Sequence, residues 1–410
     1  MSKTGTEMDE SGTAKTTNKP GLPRRVALKR IGGAAALATA GIGFPAILKA
    51  ADKVKLGFMT ALTGLETILG ETQLNCFKLA VEEINAAGGA GGREIEYLVE
   101  DDQTTTKGAI DKARKLIFQD KVDAIVGMIA SLERVAALSV TGPAKKLLIY
   151  TTYYEGGECS KYLVCTGQVP NQQIDPMMPW LVKNLGKTVY VMGSDYIWPR
   201  KSTAAVRAAL EANGGRLVGA EFFPFGTQDL GPAFAKMKDA NPDVLWLMFA
   251  GSDSITSVKQ YSSFSLKPKL VYHGWDETFL AAVPAAEQAG IIASQAYFET
   301  LDNPTNQAFV ARFQDKFGKD KPINAIGEAT YDAVWLYAKA VAKAGSTEDD
   351  KVIATISKVD FQAPQGHVNI SARNNHMLCN SILARVTNHA SFETVANYGQ
   401  IEPGVPGCNL

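Results

Sequence analysis

Histidine is scarce, with four in 410 residues, and His273, His367, His376 and His389 show neither an HExxH pair nor a metal-binding spacing. Cysteine is equally thin: Cys76, Cys159, Cys165, Cys379 and Cys408 form no CxxC pair, which argues against a zinc module. No GxSxG nucleophile elbow occurs, so serine hydrolase chemistry on a strand-to-helix turn lacks its signature. The glycine cluster Gly88-Gly89-Ala90-Gly91-Gly92 has neither GxGxxG nor GxxxxGK spacing. It follows a helical stretch and precedes a strand, where glycines cap and turn. Net charge is lacking too: 42 basic residues balance 42 acidic ones. Eight basic and three acidic residues fall in the first 50, so the chain from Ala51 onward is mildly acidic, with 34 basic and 39 acidic residues. Such a body has no electrostatic footprint for nucleic acid.

What is present begins with a targeting signal. Arg24 and Arg25 precede an apolar stretch from Ile31 to Leu48, and residues 1–50 read as an export signal with small-residue cleavage near Ala50. The stretch around Pro23-Arg24-Arg25-Val26 resembles the twin-arginine export motif, with Pro23 and Ala27 in place of its Ser and Phe. Gly32, Gly33, Gly41, Gly43 and Pro45 make the apolar segment a poor permanent span, and an uncleaved anchor is the competing reading. In an oxidising compartment Cys159 and Cys165 are near enough in sequence to bridge, and the alternative is that all five are buried or idle thiols.

Beyond the signal, β-branched runs alternate with amphipathic stretches, the pattern of parallel sheets with crossover helices. Strands are expected at Val54–Thr60, Glu94–Glu100, Ala124–Gly127 and Leu147–Tyr150. A second series has strands at Thr188–Met192, Leu217–Phe223, Val244–Phe249 and Leu270–Tyr272, with a helix at Gln172–Leu185 before it. A returning strand at Ile291–Phe298, two helices, and strands at Ser381–Val386 and Glu393–Tyr398 complete the chain.

In open α/β sheets a ligand binds beyond the carboxyl ends of the strands. Ser131 falls where a helix begins after Ala124–Gly127, placing free N–H groups there; a plain N-cap explains it equally well. Thr151, Thr152, Tyr153 and Tyr154 follow one strand, and Ser194, Tyr196 and Trp198 follow another. Aromatic walls with hydrogen-bonding tips suit a small planar polar ligand, although the same rings would also pack a crevice between lobes.

The run Ala80 to Gly89, followed by Gly92-Arg93-Glu94 and Glu100-Asp101-Asp102, resembles the leucine/isoleucine/valine-type periplasmic binding proteins. Tyr153 to Gly156, Pro170 to Gln173, Gly193 to Tyr196, Ala363 to Gly366 and Asn374 to His376 are similar to the branch that binds urea and short-chain amides. That resemblance implies two Rossmann-like α/β lobes joined by three crossings near Gly167, Phe298 and Gly366, with the ligand in the cleft. Lobe 1 would hold residues 51–167 and 299–366, and lobe 2 residues 168–298 and 367–410. The resemblance implies a periplasmic solute-binding component of an ABC importer, partnered by an inner-membrane permease, with no cofactor and no catalytic residue.

Carried over, the resemblance places Ser131, Tyr150 and Thr152 on the first lobe's side of the ligand and Tyr196 and Trp198 on the second's, with Tyr153 beside them. Amino-acid-binding relatives hold an α-ammonium with a second-lobe carboxylate, a part open to Asp276 or Glu277 unless either caps the next helix. Ile129 stands where amide-sensing relatives have tyrosine, which leaves urea, an amide or a branched-chain amino acid as the ligand. A ligand-sensing regulator on the same fold is the rival, set against it by the export signal, and a secreted enzyme ranks behind both.

Overall fold

A computed structural model describes residues 53–410, so the segment read as an export signal, with Arg24 and Arg25, lies outside the described residues. Five short strands build the first sheet: β1 (Val54–Thr60), β2 (Ile95–Asp101), β3 (Ala124–Gly127), β4 (Leu147–Tyr150) and β5 (Leu163–Cys165). They pair in parallel in the order β2-β1-β3-β4-β5. β3, β4 and β5 are buried throughout, as strands covered on both faces must be, and their residues are correspondingly apolar. The second sheet contains β6 (Thr188–Ser194), β7 (Arg216–Phe223), β8 (Val244–Met248), β9 (Lys269–Tyr272) and β10 (Ile292–Gln295). It continues antiparallel through β13 (Met377–Val386), which pairs with β14 (Phe392–Ile401) and with the hairpin β11 (Asp360–Ala363) and β12 (Gly366–Ile370). The architecture is therefore mixed α/β on two sheets, as the alternating pattern predicts.

Each sheet reverses strand order once, between β1 and β3 and between β6 and β8. These are the two topological switch points, where diverging loops leave a crevice. The chain leaves the first sheet after β5 and returns after β10, where Tyr297 packs in the first core and Phe298 in the second. The third passage is drawn out along β13 instead of turning near Gly366. Val368, Ile370, Met377 and Cys379 pack with the first core, whereas Ile382 and Ala384 pack with the second.

Three local differences from the sequence reading have physical causes. The helix expected over Gln172–Leu185 is two pieces, Pro170–Gln173 and Met178–Asn184. Pro176 between them has no N–H to donate and disfavours the helical region at Asp175. β5 escapes a periodicity reading because three residues carry no period. Finally, Cys159 is bonded to Cys408, not to Cys165. Cys165 is committed to β5, buried in an apolar cluster beside Tyr154, while the carboxyl-terminal tail brings Cys408 to the Cys159 loop. Gly404 N donates to Asn171 and Asn374 donates to Pro403 along that tail.

Candidate functional site

The carboxyl ends of β1, β3 and β4 face those of β6, β8 and β9 across a buried cavity lined by residues of both lobes. Its volume is about 20 Å³, on a scale where a single buried water needs roughly 10–15 Å³. The lobes are shut on it. Ser252 N donates to Leu65 O at 3.2 Å, and Asn324 Nδ2 donates to Thr278 Oγ1 at 2.9 Å. Gly251 makes the first contact feasible: at φ +51, a Cβ there would stand 2.2 Å from the Leu65 carbonyl.

The first lobe supplies Glu66, Leu69, Ile129, Ser131, Thr152 and Tyr153. Met128, at the end of β3, takes a left-handed φ of +64 that swings Ile129 and Ser131 toward the cavity. Its carbonyl is held by Thr152 Oγ1 at 2.9 Å and Gln73 Nε2 at 3.1 Å, which spreads the support for that turn over two elements. Glu133 Oε2 accepts from Ile129 N and Ala130 N, capping the helix Ser131–Thr141 from within. Ser131 Oγ donates to Glu155 at 2.6 Å and accepts from Arg134, whose guanidinium pairs with Glu155 at 2.8 Å. The Ser131 hydroxyl is thus fixed from behind, with one remaining lone pair.

The second lobe supplies Tyr196, Trp198, Phe249, Ala250, Gly251, Gly274 and Phe279. Tyr153, Tyr196 and Trp198 form an aromatic corner, with the Trp198 ring centroid 5.8 Å from that of Tyr153 and 6.1 Å from that of Tyr196. Trp198 Nε1 is buried without a partner. His273 backs the corner edge-on to Trp198 and is anchored to Gln173, and burial pushes its pKa down to about 3, so it stays a neutral support. The Tyr153 hydroxyl rests against Gly274, where φ is +92 and a Cβ would lie 2.0 Å from that oxygen.

Of the residues singled out from sequence, Ser131, Thr152, Tyr153, Tyr196 and Trp198 come together on the cavity wall. Tyr150 does not: its hydroxyl donates to the Ile129 carbonyl and its ring lies in the first lobe's core under Arg134. Asp276 does not line the cavity either, because its Oδ1 caps the helix Glu277–Ala282 through Thr278 N at 2.9 Å. Glu277 projects elsewhere, accepting from Glu299 N and lining a separate surface recess with Lys319 and Lys321.

Glu66 is the residue the sequence reading missed. It lies beyond the Ala61–Gly64 turn, where nothing in spacing marks it, and only closure against Gly251 shows that it is interior. The loop after β8 was also overlooked, although its place beside the second switch point was a usable signal.

A family model described as periplasmic binding protein matches residues 53–391, most of the chain and both lobes. The chain belongs to the periplasmic binding protein family. Similar relatives include the leucine-, isoleucine-, valine-, threonine- and alanine-binding protein of Pseudomonas aeruginosa, 23% identical over 80% of this chain and 88% of that one. Leu/Ile/Val-binding protein homolog 7 of Brucella suis is 24% identical, covering 77% of this chain and 83% of its own. Among solved structures, a solute-binding protein from R. palustris in complex with benzoate superposes with a TM-score of 0.79, at 20% identity over 87% of this chain and all of that one. A branched-chain amino acid transporter substrate-binding protein of Streptococcus pneumoniae, in complex with isoleucine, gives 0.76 at 22% identity over 86% and 100%. At such identities the structures establish the periplasmic binding fold for this chain. Among the described residues no helix is long and apolar enough to cross a membrane.

Proposed function

We propose that this protein is the periplasmic solute-binding component of an ABC importer, exported by the twin-arginine route, which closes its lobes on a small polar ligand. The observation that carries the reading is the buried cavity at facing strand ends, with walls contributed jointly by the two lobes. A ligand that touches both walls favours the closed state over the open one, and a permease that reads the closed shape then distinguishes loaded from empty protein. Ser131 and Thr152 would meet the ligand from the first lobe, and Tyr153, Tyr196 and Trp198 would cover it with flat rings and polar tips. On that scale the closed cavity holds roughly one or two waters, so urea, a short-chain amide and a branched-chain amino acid each require the walls to stand further apart, the amino acid the most.

Thermal unfolding of the purified chain against urea, acetamide and leucine tests the proposal, since a ligand specific for the native state stabilises it by about 2.7 kcal/mol at 100 times Kd. A dose-dependent rise in midpoint with at least one of them is expected. No rise with any would remove the reading. A regulatory sensor on the same fold is the second reading, and recovery of processed protein outside the cytoplasm is the outcome that separates transport from sensing.

A further inference from the structure

Glu66 occupies the N-cap position of the helix Thr67–Ala86, yet its side chain makes no capping hydrogen bond. It is 2% exposed, lines the cavity, and its Oε2 is buried with no partner. Among the described residues no Lys, Arg or His lines the cavity. The guanidinium behind the wall, Arg134, is committed to Glu155 and Glu158. The groups behind Glu66 worsen its situation: Asp102 and Glu133 are buried acids, with Asp102 accepting from Thr104 N and Glu133 from Ile129 N and Ala130 N. A carboxyl in such a place loses its hydration without regaining hydrogen bonds, which is costly unless a donor arrives from elsewhere. Across the cavity Trp198 Nε1 is an unpaired donor flanked by Tyr153 and Tyr196.

We propose that Glu66 is the specificity-determining residue of the cleft, accepting hydrogen bonds from an N–H-bearing group of the ligand, an amide nitrogen or an ammonium, and excluding ring carboxylates. The inference rests on the solute-binding reading and deepens it. Burial and the neighbouring Asp102 push the Glu66 pKa up, so the ionised carboxylate is disfavoured in the empty cleft and an N–H donor, above all a cationic one, offsets that cost. An N–H donor satisfies the orphaned oxygen, while a carbonyl on the same ligand accepts from the indole N–H opposite. A benzoate-like anion has no N–H to offer Glu66 and brings a negative charge to a cavity that, among the described residues, no Lys, Arg or His lines.

The test is calorimetric titration of the purified chain and of Glu66→Gln with five probes: urea, acetamide, guanidinium, leucine and benzoate. Wild-type protein is expected to bind at least one of the first four and not benzoate. Glu66→Gln should bind that probe at least tenfold more weakly, while its ligand-free thermal midpoint at pH 7 is no lower than wild type. Binding of guanidinium without acetamide or urea identifies the charged donor, and the reverse pattern the neutral one. Wild-type binding of benzoate, or Glu66→Gln affinity within twofold of wild type, overturns the role of Glu66 and leaves the cleft as a solute site. A lowered ligand-free midpoint makes Glu66 structural and also overturns the proposal. Binding of none of the five removes both readings together.

Discussion

Replacing Glu66 by Gln has a stability consequence whose sign depends on pH. The carboxyl has an ordinary pKa of 4.5 and is pushed up to about 8, first by burial and then by the nearby Asp102. The fold therefore favours the protonated form. The stability associated with that proton is fully present below pH 4.5 and is lost as pH rises toward 8. Each pH unit in this window removes about 1.4 kcal/mol, so at pH 7 a carboxyl behaving in this way lowers stability by about 3 kcal/mol relative to an uncharged isostere. Asp102, pushed up to about 7 chiefly by burial, and the buried Glu133 titrate with it as one set, and Tyr150, Tyr153 and Tyr196 lie within reach of the same charge. Glu66→Gln is thus expected to exceed wild type by about 3 kcal/mol at pH 7 and to match it near pH 4.5, measured by urea unfolding at both. A difference that is the same at both pH values, or a variant weaker at pH 7, would refute the claim that Glu66 is an unsatisfied buried acid.

Two further outcomes follow from the geometry. Gly274→Ala places a methyl against the Tyr153 hydroxyl at a left-handed position, so the ring must move into the cavity; affinity for the bound solute should fall at least tenfold in titration calorimetry, about 1.4 kcal/mol. Cys408→Ser opens the bridge to Cys159, which spans 249 residues, and should lower stability by about 2–4 kcal/mol in oxidised samples, with no difference from wild type once reductant is present.

Legibility from sequence was uneven for reasons visible in individual elements. β1 was readable to its ends at Val54 and Thr60, because a seven-residue run in which all but Lys55 are buried suffices to define a strand. The hairpin of β11 and β12 was not, since Asp360–Ala363 is a short strand with mostly part-exposed residues. Within the site, Thr152, Tyr153, Tyr196 and Trp198 were found because a rule about strand ends points at them. Tyr150 was misplaced because it still belongs to β4 and packs in the core, whereas Thr152 lies past the strand end and lines the cavity.

Alternating apolar runs and crossover-length helices determine from sequence alone that this chain builds parallel sheets, because local periodicity and the burial of both sheet faces leave little alternative. Tertiary structure alone decided that Cys159 meets Cys408, that β13 spans two cores, and that Glu66 is interior. Each of those facts joins residues far apart in sequence, and burial of a side chain depends on what folds over it, which no local pattern records.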